Sequence, residues 1–277
     1  MRTRCLAIAV LLALAACSQS SGSDDPLVET ASNLKNIESG TMTMSVTIAG
    51  KGGSTDDEVG FQLSGPFALP DEGALPLADL QYTQTRGADE TIGRFIADGE
   101  NAFVEVDGQA YVLPDDQTET FIGGPEAGEG DDILSSLDVS DWVEDPQISS
   151  DEDLNGEKVD KITGDLNVVE ALNDLMSAAQ SAGALDSFTP VEGEDRDQLE
   201  SAVESASIEV LTGAEDRLLR RLVVEIDLGV PEDGEISGAL AGLLDASFSF
   251  DLTIEKPNED VEVSTPSDAL PLDQLGT

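Results

Sequence analysis

The chain has 277 residues, 58 of them acidic and 13 basic, for a formal net charge of -45, and it contains no histidine. Such an excess of acid argues against nucleic acid or an anionic bilayer as a partner of the protein surface. The lack of histidine removes the commonest general base, the commonest zinc ligand and any Ser-His-Asp or Cys-His arrangement.

In chain order, the first element is a secretory signal. Arg2 and Arg4 precede an apolar run from Cys5 to Ala16, the basic region and short hydrophobic region of an exported chain. The run falls short of the ~20 apolar residues that cross ~30 Å of hydrocarbon. Leu14-Ala15-Ala16-Cys17 resembles the bacterial lipobox, in which the cysteine thiol is diacylated and the preceding peptide is removed. The alternative is an ordinary signal with an incidental cysteine. Loss of residues 1–16 leaves 261 of the 277 residues, a charge of -47 once Arg2 and Arg4 are gone, and Cys17 as the remaining cysteine. Without a disulfide, stability must come from burial. Residues 17–25 are Ser-rich and polar and read as a flexible tether, so acylated Cys17 is expected to hold the protein on the outer face of the cytoplasmic membrane.

Residues 26–272 are expected to form one domain, with a tail at 273–277 and no internal repeat. Pro26 to Ile37 carries apolar residues at helical spacing, with Asp24 or Asp25 placed to cap. From Thr41 the period becomes two, with Met42, Met44, Val46 and Ile48 alternating with hydroxyl residues. After a turn at Gly50 to Gly53, a second strand holds Phe61 and Leu63 and runs into Gly65-Pro66-Phe67, where proline marks an edge or strand end. Leu80–Thr85, Thr91–Ala97, Ala102–Val106 and Ala110–Leu113 follow as an antiparallel meander, with hairpin chemistry at Asp98-Gly99 and Asp107-Gly108.

Asp115 to Ile122 reads as a short helix, followed by a Gly- and acid-rich surface loop to Gly130. Ile133 to Val143 packs inward, with Trp142 read as a core anchor rather than a ligand contact. Asp151-Glu152-Asp153-Leu154-Asn155-Gly156 matches the first positions of an EF-hand loop, but Ile162 stands where the bidentate glutamate belongs. A strand hairpin at Asn155-Gly156 is the favoured reading. Helices are expected from Asn167 to Ser181 and from Asp195 to Ser205. Strands then follow at Ser207–Leu211 and at Leu218–Leu228, with Leu222 and Val224 on one face. Glu235–Leu244 is a small apolar helix holding Ile236, Leu240, Leu243 and Leu244. A last strand places Phe248, Phe250 and Leu252 on one face. The spread of carboxylates along the chain favours adaptation to a saline habitat over a calcium-binding surface.

About ten short strands with a few amphipathic helices make an α+β domain. The order of lipobox, helix and alternating strand, then Asp107-Gly108-Gln109-Ala110-Tyr111, Leu154-Asn155-Gly156-Glu157-Lys158, Ile162-Thr163-Gly164-Asp165-Leu166 and the tail Pro266 to Leu272, resembles the LppX and LprG type of envelope lipoprotein. That resemblance implies a LolA-like half β-barrel, a curved antiparallel sheet with helices on its concave face, holding acyl chains of a lipid or glycolipid between membrane and outer envelope. From the residues themselves, no catalytic motif stands out and no two acids pair in a recognisable setting, so no enzymatic activity, metal or cofactor is expected. On this resemblance the cavity lining is Met42, Met44, Val46, Phe61, Leu63, Leu222, Val224, Phe248, Phe250 and Leu252, and Ile236, Leu240, Leu243 and Leu244 form a candidate lid. Read by alternation alone, the same residues fill an ordinary dry core. A non-catalytic sensor or protein-interaction lipoprotein of the same fold, with a filled core, is the alternative function.

Overall fold

The alternating stretch after Ser39 becomes β1 (Ser39–Gly50), which sits between β2 (Glu58–Ala68) and β11 (Ala246–Glu255) in antiparallel register. The computed structural model describes residues 25–50, 58–69, 75–114, 118, 137–181, 189–230 and 244–274. On one side of β1, the meander runs through β2, β3 (Leu77–Arg86), β4 (Asp89–Asp98), β5 (Ala102–Val106) and β6 (Gln109–Val112). Across β11 lie β10 (Leu219–Leu228), β9 (Val203–Gly213), β8 (Glu157–Leu166) and β7 (Val143–Leu154). The result is one open, curved sheet of twelve strands, two more than the ten expected.

The hairpins obey the predicted turn chemistry. Asp107 and Gly108 have φ of +53° and +77°, and Asn155 and Gly156 have +55° and +91°. Both pairs fit the two-residue turn whose twist matches that of the flanking strands. At Asp98 the carboxylate accepts hydrogen bonds from the backbone N–H of Glu100 and Asn101, at 3.0 and 2.7 Å. Residues 151–156 are thus the end of β7 and its turn, not a calcium loop.

Three expectations are corrected. Pro66 lies inside β2, a central strand. Pairing with β1 runs straight through it, whereas pairing with β3 is interrupted at Gly65 and Pro66, so the missing N–H falls where no ladder bond is made. The second predicted helix ends at Ala202 instead of Ser205, because Val203 to Ser205 already pair in β9. The sheet is also mixed, not purely antiparallel. A two-residue strand, β12 (Leu270–Pro271), adds in parallel to β6, where the sequence had shown only a tail.

The helices lie on the inner face of the sheet. Helix α1 (Pro26–Asn33) starts where the Asp25 carboxylate accepts the N–H of Leu27 at 3.0 Å, and it continues as a 3-10 turn over Leu34–Asn36. The others are α2 (Val139–Trp142), α3 (Val168–Ser181) and α4 (Glu194–Ala202). Leu34, Trp142, Leu172 and Leu199 from these segments pack with Val210, Leu222 and Val224 of the sheet in the main core. Trp142 is fully buried, as expected of an anchor, and donates from Nε1 to Asp174 at 2.8 Å. The predicted helix at Asp115–Ile122, apart from Thr118, lies outside the described residues. So do the loop at Gly123 to Gly130, the predicted turn beyond Gly50 and residues 231–243.

Candidate functional site

Residues directly opposite one another in paired strands project from the same face of a sheet. One inner-face row can therefore be followed across the molecule. From the β7 edge it runs Ile148, Ile162, Val210, Leu222, Leu252 and Met44. It then continues through Leu63, Tyr82, Gly93 and Val106 to β6. Burial divides the row in two. Ile162, Val210, Leu222 and Leu252 are at most 1% exposed beneath the helices, whereas Met44, Leu63 and Tyr82 are half-buried and Val106 is 37% exposed.

The half-open part is a strip between two cores. The main core takes in the helices and β8–β11, with Met42, Met44, Val46 and Ile48 packed against its margin. A second, smaller core joins Leu75, Ala78, Ala97, Ala102 and Leu113, with Leu80, Phe95 and Val104 at its edge. Phe61, Leu63 and Tyr82 belong to neither cluster. The Phe61 and Tyr82 rings meet at 5.3 Å with a 56° tilt. At Gly93 an added Cβ would stand 3.7 Å from the Tyr82 ring, so the ring of Tyr82 rests against a position that carries no side chain.

The ten residues expected to line a cavity thus fall into two groups. Leu222, Val224, Phe248, Phe250 and Leu252 are packed in the main core at 0–6% exposure. Met42, Met44, Val46, Phe61 and Leu63 are half-buried along the strip. Of the candidate lid, Leu244 packs against the main core, while Ile236, Leu240 and Leu243 lie outside the described residues, as does Cys17. Sequence reading missed Leu80, Tyr82, Phe95 and Val104, which extend the same face. Their alternation is visible, but only the strand register assigns them to the inner side.

Polar chemistry gathers elsewhere. On the outer face, Arg94 binds Asp79 through two nitrogens at 2.5 and 2.7 Å and reaches Glu105 at 3.3 Å. It lines an open groove of about 670 Å³ with Ser64, Gln81 and Ile92. At the β9–β10 turn, Arg217 pairs with Asp160 and Glu29, and Arg220, 4% exposed, pairs with Glu157 and Asp216. A second open hollow of about 520 Å³ lies beside Arg217, between α1 and that turn. Both arginine clusters have their charge matched by carboxylates. Burial opposes ionisation of Asp160, but hydrogen bonds from Arg217 and Ser150 and the charge of Arg217 outweigh it and hold the carboxyl below its usual range. Among the described residues, no three Cys, Asp or Glu gather at metal-ligating distance, and no helix is long and apolar enough to cross a membrane.

No known protein-family profile and no curated protein matches the chain. Among solved structures it is similar to LprF from Mycobacterium bovis, at 12% identity and a TM-score of 0.41, over 87% of this chain and 95% of that one. It is also similar to the lipoprotein LppX of Mycobacterium tuberculosis, at 16% identity and a TM-score of 0.35, over 88% and 100% of the two chains. A third likeness is to MucB in its complex with MucA, at 11% identity and a TM-score of 0.28, covering 91% of this chain and 62% of that one.

Proposed function

We propose that the protein is a non-enzymatic, membrane-anchored envelope lipoprotein that binds the acyl chains of a lipid or glycolipid and carries or presents them across the envelope. The observation that carries this reading is the half-buried apolar strip of Met44, Phe61, Leu63 and Tyr82, left between two packed cores on the inner face. A sheet face this apolar is normally covered, and a long, flexible hydrocarbon suits a lining of methionine and aromatic rings that repack at small cost. The lipobox at Cys17 supplies the anchor, because a chain of net charge -45 repels an anionic bilayer. Native mass spectrometry of the gently extracted protein should find a bound lipid, and a fluorescent fatty acid should be taken up. Neither signal would be seen if the strip were only a loosely packed core.

A second reading, a sensor or protein-interaction lipoprotein with a filled core, is favoured by the dense packing of Leu222, Val224, Phe250 and Leu252 at 0–3% exposure. The two readings part on one measurement. A carrier takes up a fluorescent fatty acid at one site per chain, and a sensor with a filled core takes up none.

A further inference from the structure

Arg86 is the last residue of β3, in register with Val59 of β2 and Asp89 of β4. Register places it on the inner face with Phe61, Leu63 and Tyr82, at the end of the strip where Val59 is 40% exposed. The other end is closed, because Phe67, Ala78, Ala97 and Ala102 form one cross-strand row that is at most 6% exposed. The strip therefore runs, among the described residues, from a buried apolar end to an exposed end that carries a cation. From Val59 to Gly65 it spans six residue-to-residue rises of strand, ~20 Å at ~3.3 Å each. One acyl chain occupies about half of a ~30 Å bilayer core and fits within that length.

Among the described arginines, Arg86 differs from the rest. Arg94, Arg196, Arg217, Arg220 and Arg221 each hold at least one carboxylate. Arg86 is exposed and makes no ion pair among the described residues, although Asp89 stands opposite it and the chain carries 58 acidic residues. Its guanidinium keeps a planar fork of N–H donors open, the geometry that matches a carboxylate or phosphate. Long-range repulsion from the rest of the chain is screened within ~8 Å at physiological ionic strength, so the local preference is set at this end by Arg86 together with Asp89 opposite it.

We propose that Arg86 receives the anionic headgroup, carboxylate or phosphate, of a single-chain amphiphile whose tail lies along Phe61, Leu63 and Tyr82 toward the closed end at Phe67. This inference rests on the acyl-chain reading above. The test uses the full chain at physiological ionic strength and displacement of a fluorescent fatty acid by three ligands with the same oleoyl tail: oleate, oleoyl lysophosphatidylglycerol and neutral monoolein. Arg86→Gln should weaken at least one of the two anions by about tenfold, equivalent to about 1.4 kcal/mol, while leaving monoolein unchanged, and Arg86→Lys should restore part of the loss. Whichever anion loses more identifies the headgroup as carboxylate or phosphate. Unchanged monoolein binding also shows that the variant is folded. Equal effects on all three ligands, or none, would overturn the headgroup assignment and leave the acyl site standing. A wild-type protein that binds none of the three overturns both.

Discussion

Asp160 is 5% exposed, and its carboxylate is neutralised by Arg217, which also reaches Glu29 on α1 at 3.4 Å. The pair ties β8, the β9–β10 turn and the first helix together, next to the buried hydrogen bond of 2.8 Å between Thr30 and Thr212. Removing one member of a buried pair leaves the other uncompensated, so Asp160→Asn should destabilise the fold by about 2 kcal/mol at neutral pH. The pH dependence has a definite sign. The folded-state pKa of Asp160 lies below the ordinary 3.8, so its stabilisation is fully present above that value and is lost as pH falls through the folded pKa. Urea titrations should therefore show a gap between wild type and Asp160→Asn at about pH 7 that closes as the pH is taken below about 3.8. A gap that persisted in acid would mean that packing, not charge, holds the site. Trp142 gives a second case. Trp142→Phe keeps a large ring but leaves Asp174 without the 2.8 Å bond from Nε1, for an expected loss of about 1–2 kcal/mol in the same titration.

Strand β2 shows what a pattern of residues can and cannot reveal. Gly65 has φ of +145°, and a Cβ there would collide with the carbonyl oxygen of Asp79 on β3. Gly65→Ala should thus cost about 3 kcal/mol through strain and displacement of β3. Pro66→Ala should cost under about 1 kcal/mol, since no ladder bond depends on that nitrogen and the loss acts mainly through the unfolded chain. Thermal melts of the two variants would separate them clearly, and similar shifts would refute the view that close approach of β3 at Gly65 fixes the local geometry. Composition could not distinguish these neighbours, because proline in a strand reads as an edge until the pairing on each side is known. The same limit applied to the site. Period-two alternation put Met42, Met44 and Val46 on one face of a strand, the resemblance named them with Phe61 and Leu63 as lining, and turn residues identified the hairpins at Asp107-Gly108 and Asn155-Gly156. Tyr82 and Arg86 came onto that face only through register, which is set by long-range pairing. Strand β12 escaped notice because two residues, Leu270 and Pro271, carry no periodicity, and their parallel partner lies about 160 residues earlier in the chain, at Tyr111 and Val112.

The chain carries 58 acidic and 13 basic residues, its described part packs into two apolar cores, and its overall charge sets two opposing responses to salt. Ion pairs such as Arg94–Asp79 and Arg196–Glu200 weaken on screening, but exposed pairs of this kind contribute only ~0–1 kcal/mol each. Self-repulsion among unmatched carboxylates is spread over the whole surface and also weakens with salt, with a screening length that shrinks from ~10 Å at 0.1 M to ~3 Å at 1 M. With more than four acids for each base, relief of repulsion should win. The midpoint of thermal unfolding should therefore rise by about 5 °C or more between 0.05 and 1 M sodium chloride, corresponding to ~1–2 kcal/mol for a domain of this size. A calcium-binding surface would respond differently, with a saturable rise at millimolar calcium that sodium at equal ionic strength does not reproduce. Melting curves in matched-ionic-strength sodium and calcium chloride decide between general screening and specific ion binding. A flat response to sodium would remove the case for adaptation to a saline habitat.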